Sequence, residues 1–468
     1  MKILDELREI LGANHVLTGD DAARWRHDWT GAYEADPIAV LRPGSTQDVS
    51  QIMALAHRTN TPVVPVSGNT GLTGATSGRG MLMISLERMN EIARIDTRGR
   101  TATVQSGVIL ANLHSAAAEH DLIFPLTFGA KGSAMIGGVL STNAGGSNVL
   151  RYGNTRELCL GMEVVLADGQ IMDLMSALHK DNSGLNLKHL MIGAEGTLGV
   201  ITGAVLRLFP RPLAYATAMV AVPSLDAALT LLHRLQDGTG GAVEAFEYMP
   251  RAYIERHMRL KGMRAPFDAS YEVNIMVEVG ATAPRDATPG DDGRTPVAAH
   301  LEATLAAMFE DGDILDAVVA QNEAQRAEMW QRRDDAGEIT FQEGPFVNSD
   351  VAVPLDQVGT FLTRATEALA KIDPHAHELV VAHLGDGNIH HTAYITRNDP
   401  DVREAIITAV EDIAQDLRGS FSAEHGVGIS KLGTMRRRKD PAALEAMRAI
   451  KQALDPKGLL NPGKVIPD

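Results

Sequence analysis

Residues 67–80 read Ser67-Gly68-Asn69-Thr70-Gly71-Leu72-Thr73-Gly74-Ala75-Thr76-Ser77-Gly78-Arg79-Gly80, directly after the apolar run Pro62-Val63-Val64-Pro65-Val66. The apolar run predicts a short strand and the adjoining glycine-rich segment a loop. Five glycines among fourteen residues, interleaved with hydroxyls and an amide but with no lysine, suggest backbone N–H groups wrapped around an anion such as a pyrophosphate. A flexible surface loop is the competing reading.

Two further stretches have the same texture. The first runs from Pro125-Leu126-Thr127-Phe128-Gly129-Ala130-Lys131-Gly132-Ser133 through Ile136-Gly137-Gly138 to Ser141-Thr142-Asn143-Ala144-Gly145-Gly146-Ser147. The second, Gly193-Ala194-Glu195-Gly196-Thr197-Leu198-Gly199-Val200-Ile201-Thr202, precedes a predicted strand over 204–208. Three small-residue surfaces suit an extended dinucleotide lying against backbone, where side chains would obstruct it. The chain holds no G-x-G-x-x-G, and Gly458 to Lys464 imitates a P-loop but has Val465 where Ser or Thr is required, which disfavours a nicotinamide-type Rossmann domain.

Outward from these loops, helices are predicted over 1–12 (acidic and amphipathic), 45–59 (Ser45 with Asp48 as a capping-box-like start), 223–235, 297–309, 355–371 and 401–417. Strands are predicted over 271–278 and 379–383, and Cys159 is expected in a strand. The prolines of Phe209-Pro210-Arg211-Pro212 place a domain boundary near 213, with an α+β second domain beyond it. Residues 283–296 read as an exposed loop or hairpin tip and Arg436 to Lys439 as a solvated turn, while Asp455 to Val465 is turn-rich and expected to dock.

The chemistry concentrates near the end. His375, His377, His383, His390 and His391 place five of sixteen histidines within seventeen residues. In His383-Leu384-Gly385-Asp386-Gly387-Asn388-Ile389-His390 the glycines allow a tight reversal between two imidazoles, and Ser422-Ala423-Glu424-His425-Gly426-Val427-Gly428 adds a carboxylate and another imidazole. Imidazole and carboxylate are what a zinc-like ion takes in a site with open positions; a solvated polar hairpin is the bland alternative. Glu424 would complete the ligand set and leave His425 free to move protons near pH 7, provided the two lie on a bend. In Met329-Trp330-Gln331-Arg332-Arg333 one arginine could clamp a substrate carboxylate, although taken alone a surface helix face is the simpler reading.

The 468 residues, 44% hydrophobic and 22% charged, describe an ordinary globular protein of two or three domains. A formal charge of -16 argues against a nucleic-acid partner, and a single cysteine excludes an internal disulfide. No apolar run approaches a transmembrane span and the N-terminus lacks a signal pattern, so a cytoplasmic address is expected.

Together, the stretches 67–74, 129–146, 193–201, 383–390, 422–428 and 461–465 resemble, over nearly the whole chain, the FAD-linked oxidoreductases of the vanillyl-alcohol oxidase type. Within that group the likeness is to the D-2-hydroxyacid dehydrogenases, whose members oxidise D-lactate, D-2-hydroxyglutarate or glycolate. The resemblance implies an FAD-binding domain of two α+β subdomains (1–213), a ferredoxin-like α+β substrate domain (214–420) and a C-terminal segment (421–468) returning to the FAD domain. It implies that Gly68 to Gly71, flanked by Pro65, Ser67 and Leu72 and including Asn69 and Thr70, hold the FAD pyrophosphate. Pro125, Leu126, Gly129, Ser133, Gly137, Gly138, Ser141, Asn143, Gly145 and Gly146 would face the ribityl and isoalloxazine side, Glu195, Gly196, Gly199 and Ile201 the adenosine side, and Asn461, in the final segment that returns to the flavin, would also bind the cofactor.

By the same resemblance His383, His390 and Glu424 are ligands of zinc or manganese, His425 is the base and Arg333 the carboxylate clamp. FAD is expected to be non-covalent, since no His or Cys lies in the first glycine loop. Members specialised for 2-hydroxyglutarate tend to carry Lys, Thr and Asn where this chain has Asn348, Gly337 and Thr392. A monocarboxylate such as D-lactate, or a larger apolar 2-hydroxyacid, is therefore expected, with Arg332, Lys261 and Arg264 as possible compensating cations. Electrons would pass to an external acceptor, a quinone or an electron-transfer flavoprotein, and a homodimer is possible. The rival readings are a D-2-hydroxyglutarate dehydrogenase, the FAD subunit of a multi-subunit glycolate oxidase and, from another class, a metal-dependent hydrolase.

Overall fold

The computed structural model describes residues 2–468. The N-terminal half carries two sheets. A four-stranded sheet runs in the order Val16–Leu17, Ala39–Leu41, Leu82–Ser85, Val63–Val66, with parallel pairing between the last three strands. The helix Thr46–Thr59 covers it: Ser45 caps the first turn by accepting from the Asp48 amide at 3.1 Å, and Val49, Ile52, Met53 and Ala56 are buried. Asp48 completes no reciprocal box; its carboxylate accepts instead from the Gly44 amide at 2.8 Å. The second sheet, five antiparallel strands, runs Ile92–Asp96, Thr101–Gln105, Val200–Arg207, Cys159–Val165, Ile171–Leu174. Cys159 is buried where the fourth of these begins.

A seven-stranded antiparallel sheet organises the second half: β1 (Ala214–Val222), β2 (Val243–Pro250), β3 (Val273–Ala281), β4 (Asp316–Val319), β5 (Phe346–Ala352), β6 (His377–His383) and β7 (Asn388–Tyr394), in the spatial order β4-β1-β3-β2-β6-β7-β5. Side chains alternate across it. Val380, Ala382, Ile389 and Ala393 face the helices Leu225–Thr239, Pro296–Asp311, Val358–Ile372 and Pro400–Asp416 in an apolar core. Leu379 and Val381 face the opposite way, toward the helices Arg251–Lys261 and Glu323–Asp334 and a large cavity.

The C-terminal segment returns to the first half. Leu460 bridges to Val63 and joins its core, and Ile450 and Leu454 of the helix Pro441–Leu454 pack on the second sheet. Two expectations need correction. Arg436 to Arg438 form the last turn of the helix Leu432–Arg438, where they complement the negative helix end and Arg437 pairs with Glu404 and Glu411 at 3.1 and 3.2 Å. Within 283–296, Pro284–Ala287 forms a helical turn because Ala287 packs on the sheet; the exposed loop is confined to residues 288–294. Among the described residues no helix is long and apolar enough to cross a membrane.

Candidate active site

Register decides which residues meet. Val381 pairs with His390, and His390 with Asp350, across β6, β7 and β5; one step along, His383 pairs with Asn388 and, across β2, with Glu247. With a period of two, Glu247, His383, His390 and Asp350 share the cavity face. His391 alternates to the other face, where Glu378 holds its Nε2 at 2.9 Å; His377 keeps the cavity-side face of the sheet but stacks on Tyr394. Only two of the five clustered histidines, His383 and His390, line the cavity.

Glu424 and His425 arrive on a loop fixed at both ends by buried carboxylates. Asp350 Oδ2 accepts the amides of Glu424 and His425 at 2.9 and 3.0 Å; Glu195 accepts those of Val427 and Gly428 at 2.7 and 2.9 Å. The bend at Gly426 (φ 78°) turns both side chains to one site. Glu424 then lies between the imidazoles, its Oε1 3.7 Å from His383 Nε2 and its Oε2 3.9 Å from His390 Nε2. His425 stacks on His390 with ring centroids 5.7 Å apart.

Tautomer and charge are set by the neighbours. His383 Nδ1 lies 2.9 Å from Glu247, whose carboxylate holds a proton there and, against burial, raises the imidazole above its ordinary value, while Nε2 faces Glu424. Arg333 donates Nε to Glu247 at 2.7 Å, and its Nη2 lies 3.3 Å from that same Nε2. Burial would raise the Glu247 carboxyl, but His383 and Arg333 overcome it and hold it at about 2. Burial pushes Glu424 up to about 7, only partly opposed by His383. Burial also keeps His425 below the ordinary imidazole value, against the pull of Asp350, so it is neutral at pH 7.

Two imidazoles beside a carboxyl pushed up by burial are donor types that a divalent ion takes. The group whose donor atoms all lie within 4.8 Å of one another is Asp350, His390, Glu424 and His425, which leaves His383 out. Asp350, however, already accepts from two amides and from Asn388 Nδ2, so His390 and Glu424 are the freer donors of that group.

The opposite wall is the glycine surface. The amides of Gly68, Asn69, Thr70 and Gly71 find no acceptor among the described residues, as befits a cradle awaiting an anion. Gly145 approaches the Glu424 loop so closely that a Cβ there would stand 2.9 Å from Glu424 Oε1. Between the walls lies a cavity of about 960 Å³, at the upper end of small-molecule sites.

Most anticipated cofactor residues line this cavity; Pro125, Leu126, Asn143 and Asn461 do not. Pro125 and Leu126 are buried, the latter in the core with its carbonyl bound to His114. Asn143 ends a helix in the left-handed region and accepts from the Arg156 amide at 2.9 Å. Asn461, 2% exposed, donates to the carbonyls of Ala75 and Glu195 and so ties the C-terminus to two glycine loops. Glu195 lines the cavity, but its carboxylate is engaged by the Val427 and Gly428 amides. Sequence reasoning missed Glu247 and Asp350, although a lone carboxylate inside an apolar strand, as in Ala245-Phe246-Glu247-Tyr248-Met249, is itself a signal of a buried partner. Arg332, Lys261 and Arg264 do not reach the cavity: Arg332 Nη2 donates to the Arg264 carbonyl, and Lys261 pairs with Glu338.

Comparison with known proteins agrees with this architecture. Residues 37–175 match the FAD binding domain and residues 211–465 the C-terminal domain of FAD linked oxidases. The chain is 35% identical to a D-2-hydroxyglutarate dehydrogenase of Xanthomonas citri pv. viticola, covering 95% of this chain and 92% of that one, and 32% identical to one of Stutzerimonas stutzeri, covering 99% and 98%. In fold it resembles p-cresol methylhydroxylase (TM-score 0.74, 16% identity, covering 100% of this chain and 96% of that one) and alkyldihydroxyacetonephosphate synthase (TM-score 0.72, 17% identity, covering 98% and 84%). The architecture is that of the vanillyl-alcohol oxidase type, an FAD-binding half joined to an α+β cap. The chain belongs to the FAD-linked oxidase family.

Proposed function

We propose that the protein oxidises a D-2-hydroxyacid to the 2-oxoacid, with FAD on the glycine wall and zinc or manganese held by His383, His390 and Glu424. The supporting observation is the contact between walls: Gly145 meets Glu424 so closely that the cofactor cradle and the metal donors share one cavity. An ion held by these residues would supply Lewis-acid polarisation of the substrate hydroxyl, and FAD on the glycine wall would supply the two-electron acceptor for the α-hydrogen. Arg333, oriented by Glu247, receives the substrate carboxylate. His425, neutral at pH 7 and held by the Asp350 clamp on its amide, takes the hydroxyl proton. Residues 1–213 form the cofactor half, 214–420 the cap and 421–468 the returning segment that supplies Glu424 and His425. Electrons leave to an external acceptor, a quinone or an electron-transfer flavoprotein.

The substrate carries one carboxylate, in the class of D-lactate and larger apolar 2-hydroxyacids, because Arg333 is the only Lys or Arg lining the cavity among the described residues. A second reading, D-2-hydroxyglutarate, is favoured by the names of the relatives. Anaerobic mixing with D- and L-2-hydroxyacids, before and after chelation, tests the function. Bleaching of the flavin by D-acids only, lost on chelation and restored by metal, is the expected result; indifference to every 2-hydroxyacid would contradict it.

A further inference from the structure

We infer that the cavity contains a subsite for an extended apolar substrate tail, so that among monocarboxylates the enzyme prefers 2-hydroxyacids of about six to eight carbons. This deepens the function proposed above and rests on it. The sheet register locates the subsite. On the cavity face of β5, β7 and β6 the row after Asp350, His390 and Val381 is Asn348, Thr392 and Leu379, two residues further along each strand. Two residues of strand advance about 7 Å. A substrate whose hydroxyl and carboxylate sit at the metal donors and Arg333 therefore brings its fourth to sixth carbons over that row.

The row offers no positive charge. Thr392 Oγ1 donates to Asn348 Oδ1 at 3.1 Å, which occupies the amide oxygen and leaves a neutral amide donor on one side of Thr392 and the apolar Leu379 on the other. Beyond it lies an aromatic end. Phe341 packs on Phe346 with centroids 5.4 Å apart and meets Trp29 edge to face at 6.1 Å. Trp29 comes from the cofactor half and Phe341 from the cap, and both line the cavity while remaining 63% and 40% exposed. Large apolar rings left open at a cavity mouth are surfaces for an apolar ligand. Gly337 recesses the same wall, since a Cβ there would meet nothing within 4 Å. A second carboxylate would be desolvated without a cationic partner and would share the wall with Asp334.

The test uses the FAD-loaded, metal-replete enzyme and D-2-hydroxyacids lengthened from lactate to 2-hydroxyoctanoate, with D-2-hydroxyglutarate alongside. The expected result is a kcat/KM that rises about 3–4-fold per methylene until the tail reaches the aromatic pair, with the dicarboxylate no better than lactate. Calorimetric titration with the matching 2-oxoacids should give the same order of affinity without turnover. Trp29→Ala should raise KM for 2-hydroxyoctanoate at least tenfold more than for lactate, and Asn348→Lys should move the preference toward the dicarboxylate by at least about tenfold. A best substrate of 2-hydroxyglutarate, or rates that fall with chain length, would overturn the subsite and leave 2-hydroxyacid oxidation standing. No bleaching by any member would overturn both.

Discussion

The cofactor-side wall, from Gly68 to Gly146, presents backbone amides and hydroxyls, whereas the cap-side wall packs Arg333, Glu424 and three imidazoles over the buried carboxylates Glu247 and Asp350. The difference teaches a division of labour. A surface made of backbone binds by shape and N–H donors, and nearly any side chain would spoil it; a surface made of side chains does chemistry, and each group depends on the one behind it. Damage to one wall should therefore be separable from damage to the other.

The sharpest separation is expected at His425. His425→Ala should lower the rate of flavin reduction by roughly 10²–10⁴ while the flavin stays bound, as read by absorbance and stopped-flow mixing. In the parent enzyme, kcat/KM should fall with decreasing pH as His425 gains a proton. Because burial lowers its pKa, the midpoint of that limb should lie below the ordinary 6.5; a midpoint well above 6.5 would remove His425 from the role. Next in size is Glu247, which touches both His383, the proposed metal donor, and Arg333, the proposed clamp. Glu247→Gln should weaken metal affinity about 10–100-fold and raise KM, with FAD content unchanged. Undiminished metal content after dialysis against a competing chelator would break the link between Glu247 and His383.

The residues behind the loop were the least visible in the sequence. The glycine stretches announce the cofactor wall because its requirement, the absence of side chains, is local and written in one-letter code. The histidine hairpin and Glu424-His425 were legible for a similar reason. Glu247, Asp350 and the Glu195 clamp were not, because each acts on a segment 74 or more positions away and only strand register or chain return brings them together. Asn143 and Asn461 were expected at the cofactor but do not line the cavity: the one has a left-handed backbone that ends a helix and the other a buried amide, which serve the scaffold.

Two smaller effects test the scaffold and the wall it supports. Glu195→Gln leaves one of two buried amides without its acceptor and should destabilise the protein by about 1–3 kcal/mol in urea unfolding. Smallest in stability is Gly71→Ala. A Cβ there meets no protein atom within 4 Å, so unfolding should shift by less than about 0.5 kcal/mol. FAD affinity, measured by dilution, should nonetheless fall; unchanged affinity would mean that the loop does not hold the cofactor.

The most direct measurement is a crystal structure of the FAD-loaded protein with anomalous data collected at the zinc and manganese edges. A single strong peak is expected at bonding distance from His383 Nε2, His390 Nε2 and Glu424, on the side of the cavity facing the flavin ring. A peak ligated by Asp350 and His425 instead, or an ion remote from the flavin, would contradict a shared metal and flavin site.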